Sequence, residues 1–265
     1  MQSHIILPAA ALAGGAAGFA VRKWQWMSAY DQEAERFLHA MPATFVLLGL
    51  LAALVLFFLL ASGKSQDKPL PPTCPNPMYM TLMAMGGFLF FGAGALGLLE
   101  GMDMLSLWKS GLAETMVLSY PMALLLCGGL SLVAGVCVLA MGKNGYRPAE
   151  GKSASLPAVL PPFALLVWLF ATHQAHATDP IFLDYGVYLT AAALLTLAHY
   201  DAAGFYHGQR HKRRFLFCTL MGTVLVLVSL ADGLSFFQMA MAAACALTAL
   251  GQAIALLSPA SEPEL

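Results

Sequence analysis

Long apolar stretches separated by short polar connections dominate the hydropathy pattern of this chain. A helix needs about 20 mostly apolar residues to cross the roughly 30 Å hydrocarbon core of a bilayer. Eight stretches fit that length, and the connections between them are too short to form cores of their own. We predict eight membrane-spanning helices, at residues 5–21, 43–62, 79–99, 117–141, 157–173, 181–200, 214–231 and 235–257.

These spans determine the expected fold class and domain organisation. The fold class is all-α, a polytopic transmembrane helix bundle of about eight spans in a single integral membrane domain. A Pro-rich connector at 63–78 separates a two-helix unit at 1–62 from a six-helix unit at 79–257. In the segment 22–42 aromatic and charged residues are interspersed, so we expect it to lie along the membrane interface.

Composition strengthens this interpretation. The 265 residues are 59% hydrophobic and 10% charged, whereas soluble domains have about 45–50% apolar and about 25% charged residues. Disordered chains are rich in charge and poor in apolar residues, so disorder is excluded as well. The lipid bilayer is therefore the expected environment.

The basic residues predict the orientation. With eight spans, both termini and the second, fourth and sixth loops lie on one side, which carries nine basic residues against four on the other. The positive-inside rule places the richer side in the cytoplasm. Arg22 and Lys23, directly after the first span, oppose this orientation when taken alone. We expect both termini to be cytoplasmic.

Acidic residues gather on the opposite, outer side. Two explanations stay open: ordinary topology bias, or a vestibule that concentrates cations. The nine residues of this group are Asp31, Glu33, Glu35, Glu100, Asp103, Glu114, Asp179, Asp184 and Asp232.

The sixth span carries the most polar groups. Asp179 and Pro180 give it a clear helix start signal, and its polar side chains share an arc of about 120° at 100° per residue. Asp201 points roughly the other way. This face either forms hydrogen bonds to other helices or lines a ligand or proton path. The candidate ligand-binding residues are Asp179, Asp184, Tyr185, Tyr188, His199 and, at the outer mouth, Asp232.

Metal and cofactor chemistry has little support in the sequence. His173 and His176 precede Asp179 at a spacing that could place them together, which makes them weak candidate metal ligands. Intramembrane hydrolases of the ceramidase type need further histidines in late helices, and the last two spans have none. Nucleotide and hydrolase motifs are absent, so we expect no cofactor.

Two other features have structural explanations. Glycines at helical spacing, such as Gly94 and Gly97 in the third span and Gly128 and Gly135 in the fourth, favour close helix packing. The basic cluster at 210–214 adjoins a span. It therefore indicates a topology signal or contact with anionic lipid, and we expect no nucleic acid as a partner.

Two groups of short motifs carry a resemblance. The first is Gly18-Phe19-Ala20-Val21-Arg22-Lys23-Trp24-Gln25 with Ala29-Tyr30-Asp31 and Pro42-Ala43-Thr44. The second is Thr178-Asp179-Pro180-Ile181-Phe182-Leu183-Asp184-Tyr185 with Ala198-His199-Tyr200, Ala203-Gly204-Phe205 and Ala231-Asp232-Gly233. Together they resemble uncharacterised multi-pass membrane proteins of Gram-positive anaerobic bacteria. The resemblance implies a bacterial plasma membrane and no particular activity.

The leading functional prediction is a transporter-like helix bundle that binds a small molecule or an ion. The alternative is a structural or partner-binding membrane subunit whose polar groups only hold helices together. An intramembrane metalloenzyme ranks third, so we expect a protein without catalysis. A homo-oligomer or another membrane protein as partner stays open.

Overall fold

The architecture is an eight-helix bundle, seen in a computed structural model that describes residues 3–31, 36–38, 41–63, 74–112, 116–147, 155–176 and 182–258. The all-α bundle predicted from the sequence is confirmed. Within the described residues the elements are α1 (Ser3–Ala29), β1 (Tyr30–Asp31), β2 (Arg36–Phe37), α2 (Pro42–Gly63), α3 (Pro77–Lys109), α4 (Ser119–Tyr146), α5 (Ser155–Ala175), α6 (Phe182–Tyr206), α7 (Lys212–Ser229), the 3-10 turn η1 (Leu230–Asp232) and α8 (Phe236–Leu257).

Successive helices run up and down through the bundle. Gly87 of α3 faces Leu139 of α4, whereas Gly101 faces Leu125, so these two helices are antiparallel. We call the end where α1, α3, α5 and α7 finish the Asp232 end, and the end where α2, α4, α6 and α8 finish the Asp201 end. The first and last described residues both lie at the Asp201 end.

The chain is an integral membrane protein by the length and composition of its helices. Among the described residues, seven helices are long and apolar enough to cross a membrane: all of them except α6. Helix α6 has 25 residues and carries His199 and Asp201 near its C-terminal end. It still runs the length of the bundle, because Tyr188 contacts the start of α8 and Asp201 contacts the start of α7.

Glycine packing joins α3 to both α4 and α8. A Cβ atom built on Gly128 of α4 would lie 3.0 Å from the carbonyl oxygen of Gly94, and one on Gly86 would lie 2.3 Å from the Thr248 side chain of α8. The predicted role of Gly94 and Gly128 is confirmed, because the backbones of α3 and α4 meet there. Gly92 of the same span is different: a Cβ there would meet nothing within 4 Å.

Helix α1 is longer than predicted, so the first part of the segment 22–42 is helical. The prediction ended the first span at residue 21 because a charge pair follows, but the helix continues to Ala29. Arg22, Gln25 and Ala29 are buried on one face of the added turns, at the i, i+3 and i+7 spacing of a helical stripe. A two-residue β hairpin then pairs Tyr30 with Phe37.

Candidate functional site

A crevice between α2 and α6 combines an apolar wall with buried polar groups at one end. Its volume is about 440 Å³, within the range of roughly 300–1,000 Å³ that is typical of small-molecule sites. Side chains of α7 form its floor. The apolar lining residues are Leu47, Leu48, Leu51 and Val55 of α2, Gly186, Val187 and Leu194 of α6, and Phe217, Met221 and Leu225 of α7.

A chain of hydrogen bonds closes the crevice at the Asp232 end. Arg22 lines the crevice with Gln25 and Thr44, and its Nη1 donates to Gln25 Oε1 over 2.8 Å. Gln25 Nε2 donates in turn to Thr44 Oγ1 over 3.0 Å. All three side chains are buried, so the crevice ends on polar groups that the protein itself has oriented.

Asp232 balances the charge of Arg22. Arg22 Nε lies 2.6 Å from Asp232 Oδ1, with side-chain exposures of 1% and 5%. The indole Nε1 of Trp26 donates to the same oxygen over 2.9 Å, while Oδ2 has no hydrogen-bond partner among the described residues. The pair is therefore a buried ion pair that joins α1 to the turn after α7.

The β hairpin covers this ion pair. The guanidinium carbon of Arg22 lies 4.5 Å from the centre of the Phe37 ring, a distance at which a cation is attracted to an aromatic face. Trp26 and Tyr30 pack against the same ring, with centroid distances of 4.7 and 5.2 Å. The aromatic residues of the predicted interfacial segment thus form a cap over the end of α1.

Tyr188 faces the bundle interior, where its hydroxyl both accepts and donates a hydrogen bond. Trp168 Nε1 of α5 donates to the Tyr188 hydroxyl over 3.1 Å, and that hydroxyl donates to the Gln238 carbonyl of α8 over 3.3 Å. The polar face predicted for the sixth span therefore links three helices here. Tyr188 does not line the crevice.

His199 is also buried, near the other end of α6. Its Nδ1 lies 2.8 Å from the Leu195 carbonyl oxygen, and its Nε2 lies 2.8 Å from Thr248 Oγ1 of α8. Since a carbonyl only accepts, Nδ1 carries a proton. The Thr248 hydroxyl lies 2.8 Å from the Ala244 carbonyl oxygen as well, so it can donate to either group by rotating.

Asp201 is a functional candidate that sequence reasoning did not propose. It is buried, and its carboxylate is bound by both Nε and Nη2 of Arg214, with an Nε–Oδ2 distance of 2.8 Å. Arg214 is partly exposed at the start of α7. The sequence does contain an indication of this pair. An acidic residue lies inside a predicted span, and a short loop after that span leads to a run of basic residues.

Two of the predicted ligand-binding residues cannot be placed as side chains. Asp179 lies outside the described residues, and the same holds for the side chain of Asp184, whose backbone belongs to the first turn of α6. Tyr185 stacks on His176 with ring centroids 4.5 Å apart. Asp232 contacts a residue that lines the crevice, Arg22.

Among the described residues, no further ligands group with the weak metal candidates His173 and His176. In the part of the chain that the structure describes, no group of three or more His, Cys, Asp or Glu residues could hold a metal ion. His176 is occupied by its stack on Tyr185, and His173 lines a separate apolar groove beside α4 and α5. Metal binding by these two residues stays a prediction.

Sequence reasoning missed Arg22, Gln25 and Thr44 as site residues. Arg22 and Gln25 were assigned to a connection outside the membrane, where a charge needs no partner. If the first helix had been predicted to continue past Arg22 and Lys23, the i, i+3 spacing of Arg22 and Gln25 would have placed both on one face of the helix.

Comparisons with known proteins supply no relative. No protein-family model, curated protein or solved structure matches this chain. Its function is therefore inferred from its own residues.

Proposed function

We propose that the protein binds an amphipathic small molecule in the α2–α6 crevice, as the binding step of a transporter-like membrane protein. One observation carries the proposal: Arg22, Gln25 and Thr44 lie together at one end of the crevice, and the rest of its lining is apolar. The exception is Thr190, whose hydroxyl donates to the Gly186 carbonyl of its own helix. A molecule with a polar head and an apolar chain matches that distribution, because each part meets a surface of its own kind.

The dimensions of the crevice support a medium-length chain. Its lining residues on α2 run from Thr44 to Val55, which is about 16 Å at 1.5 Å per residue. That is about half of the roughly 30 Å hydrocarbon core. The bound chain would thus stay within one leaflet, entering sideways from the bilayer.

The charge at the polar end favours an anionic head. Arg22 lines the crevice, whereas its counter-ion Asp232 is not among the lining residues. A bound head therefore meets the cationic partner of the pair first, and the Thr44 hydroxyl, which accepts from Gln25, can donate to it. A carboxylate fits this arrangement better than an ammonium group.

Dodecanoate is a suitable probe of this proposal. We expect it to stabilise the protein in nanodiscs of constant lipid composition, by about 2.7 kcal/mol at a hundred times its Kd. Val55→Trp fills the crevice and should abolish the dodecanoate-induced rise in Tm. Dodecylammonium, tested in parallel, should raise the Tm less than dodecanoate does.

Leu56→Trp is the matched control for that experiment. Leu56 is the next residue along α2, is 59% exposed and does not line the crevice. Each variant is compared with its own Tm without dodecanoate, so a loss of basal stability does not obscure the result. An equal dodecanoate shift in Val55→Trp and Leu56→Trp, or no shift in the unmodified protein, would refute the proposal.

A second candidate function, a structural subunit, is favoured by a different observation. The buried polar groups of α6, namely Tyr188, His199 and Asp201, are all bonded to neighbouring helices. Groups used in this way hold helices together without needing a ligand.

Tyr188→Phe separates the two roles that can be assigned to this residue. We expect it to lower the free energy of unfolding by about 1–3 kcal/mol, because the buried Trp168 Nε1–H loses its acceptor. The dodecanoate shift should be unchanged. Tyr200→Phe, at an exposed position of the same helix, is the control. A reduced dodecanoate shift in Tyr188→Phe would instead support the sequence prediction that Tyr188 binds ligand.

For its location we propose the bacterial plasma membrane, with the Asp201 end in the cytoplasm. The support is the group of basic residues described at that end. They are Lys143 near the end of α4, Arg147 directly after it, and Arg213 and Arg214 at the start of α7. Arg22, which opposed this orientation, is buried and paired with Asp232. Labelling of an engineered cysteine at Ser258 from either side of the membrane tests the assignment.

A further inference from the structure

Two adjacent prolines interrupt the hydrogen-bond ladder of α5. Pro161 and Pro162 lie inside the helix and have no amide hydrogen, so they cannot donate to the carbonyls of Pro157 and Ala158, four residues earlier. Within a membrane, such freed carbonyls are satisfied by neighbouring helices, by Ser or Thr side chains or by ordered water.

A small cavity lies against this interruption. Its volume is about 10 Å³, and Ala158, Pro161 and Pro162 of α5 line it together with His199 of α6 and residues of α3, α4 and α8. A single buried water needs about 10–15 Å³ and two to four polar partners. The cavity is therefore of the size of one water molecule.

Gln252 of α8 provides an unsatisfied group at the same cavity. Its side chain is 97% buried, given an exposure of 3%, and it lines the cavity. The amide nitrogen faces Met83 Sδ at 4.0 Å and also the Tyr206 hydroxyl, but Oε1 has no hydrogen-bond partner among the described residues. A buried acceptor without a hydrogen bond lowers the stability of the folded protein by about 1–3 kcal/mol.

We propose that this cavity is a binding site for one structural water molecule between α5 and α8. The water donates one hydrogen to Gln252 Oε1 and the other to the carbonyl of Ala158, which Pro162 leaves without its helical donor. His199 and Thr248 line the same cavity and give the water oxygen polar neighbours. One molecule thus satisfies the Gln252 acceptor and replaces the donor that Pro162 lacks, and it joins two helices.

Filling the cavity tests for a bound water when it is combined with removal of the acceptor. Ala202 of α6 is buried and lines the cavity, so Ala202→Val adds methyl groups to it. These methyl groups exceed a cavity of about 10 Å³, so overpacking lowers Tm even when the cavity is dry. With a bridging water in place, we expect Ala202→Val also to expel the water, which lowers Tm further.

A double-mutant cycle with Gln252→Leu assigns that loss to the water. Once the acceptor is removed, Ala202→Val should lower Tm by much less than it does in the unmodified protein. Ala164→Val, at a fully buried position of α5 that does not line the cavity, should lower Tm equally in both backgrounds. An equal effect of Ala202→Val in both backgrounds would overturn the proposal.

An experimental density map gives an independent answer should Ala202→Val fail to fold. A peak within hydrogen-bond distance of both Gln252 Oε1 and the Ala158 carbonyl oxygen is expected in the unmodified protein. A map that resolves other ordered waters but has no peak there would exclude the site.

Discussion

Replacing Arg22 with methionine should lower the free energy of unfolding by about 3–5 kcal/mol, because it leaves the buried Asp232 carboxylate without its counter-ion. Asp232 Oδ1 would keep only the hydrogen bond from Trp26, and Oδ2 already has no partner among the described residues. Reversible unfolding in mixed micelles, followed as a function of SDS mole fraction, measures the change.

Lys23→Met is the control for this prediction. Lys23 carries the same charge one residue later in α1, but its side chain is exposed, so its replacement should change the free energy of unfolding by no more than about 0.5 kcal/mol. Equal effects of Arg22→Met and Lys23→Met would mean that the ion pair does not form in the folded protein.

The double variant Arg22→Met with Asp232→Asn tests whether charge imbalance is the cause. Asparagine is uncharged, and its side-chain oxygen can still accept from Trp26 Nε1. We therefore expect the double variant to be more stable than Arg22→Met alone. Removing one charge of a buried ion pair lowers the free energy of unfolding more than removing both charges does. If the double variant is instead the less stable of the two, lost packing and not lost charge balance is the main effect.

Gly128→Ala is expected to be the second most disruptive change. A Cβ there would lie 2.8 Å from the backbone nitrogen of Leu98 and 3.0 Å from the carbonyl oxygen of Gly94. Backbone atoms cannot rotate away as a side chain can, so α3 and α4 must separate. Overpacking of this kind lowers the free energy of unfolding by about 1–3 kcal/mol, measurable as a fall in Tm.

Gly129→Ala is the matched control, one residue along the same helix. A Cβ at Gly129 would meet nothing within 4 Å. Alanine is the better helix former by about 0.8–1.0 kcal/mol, so this variant should be at least as stable as the unmodified protein. A fall in Tm for both variants would show that flexibility of α4, and not the close approach to α3, requires glycine here.

The helices were predictable because their signal is local. Each span is an apolar stretch long enough to cross a bilayer, and that property needs no knowledge of the rest of the fold. The ends were less predictable, because a charged residue marks a membrane boundary only when it faces water. Arg22 faces the bundle interior, so α1 continues past it, and α3 likewise continues beyond the predicted residue 99 to Lys109.

The polar face of α6 was predictable in part. Tyr188 and His199 share the expected side of the helix and point into the bundle. Their partners could not be derived, because Trp168 and Thr248 come from helices whose relative rotation depends on the whole packing arrangement. Asp201 points away from this expected side of α6 and toward α7, and its pairing could not be derived because its partner Arg214 belongs to that helix.

The ion pair between Arg22 and Asp232 also constrains the order of events during synthesis. Its two residues are 210 positions apart, and at about 5–20 residues per second the ribosome needs roughly 10–40 s to make the chain between them. Throughout that interval α1 presents an arginine that has not yet acquired its partner. The contact that fixes the end of α1 can therefore form only after α7 and the turn that carries Asp232 have been made.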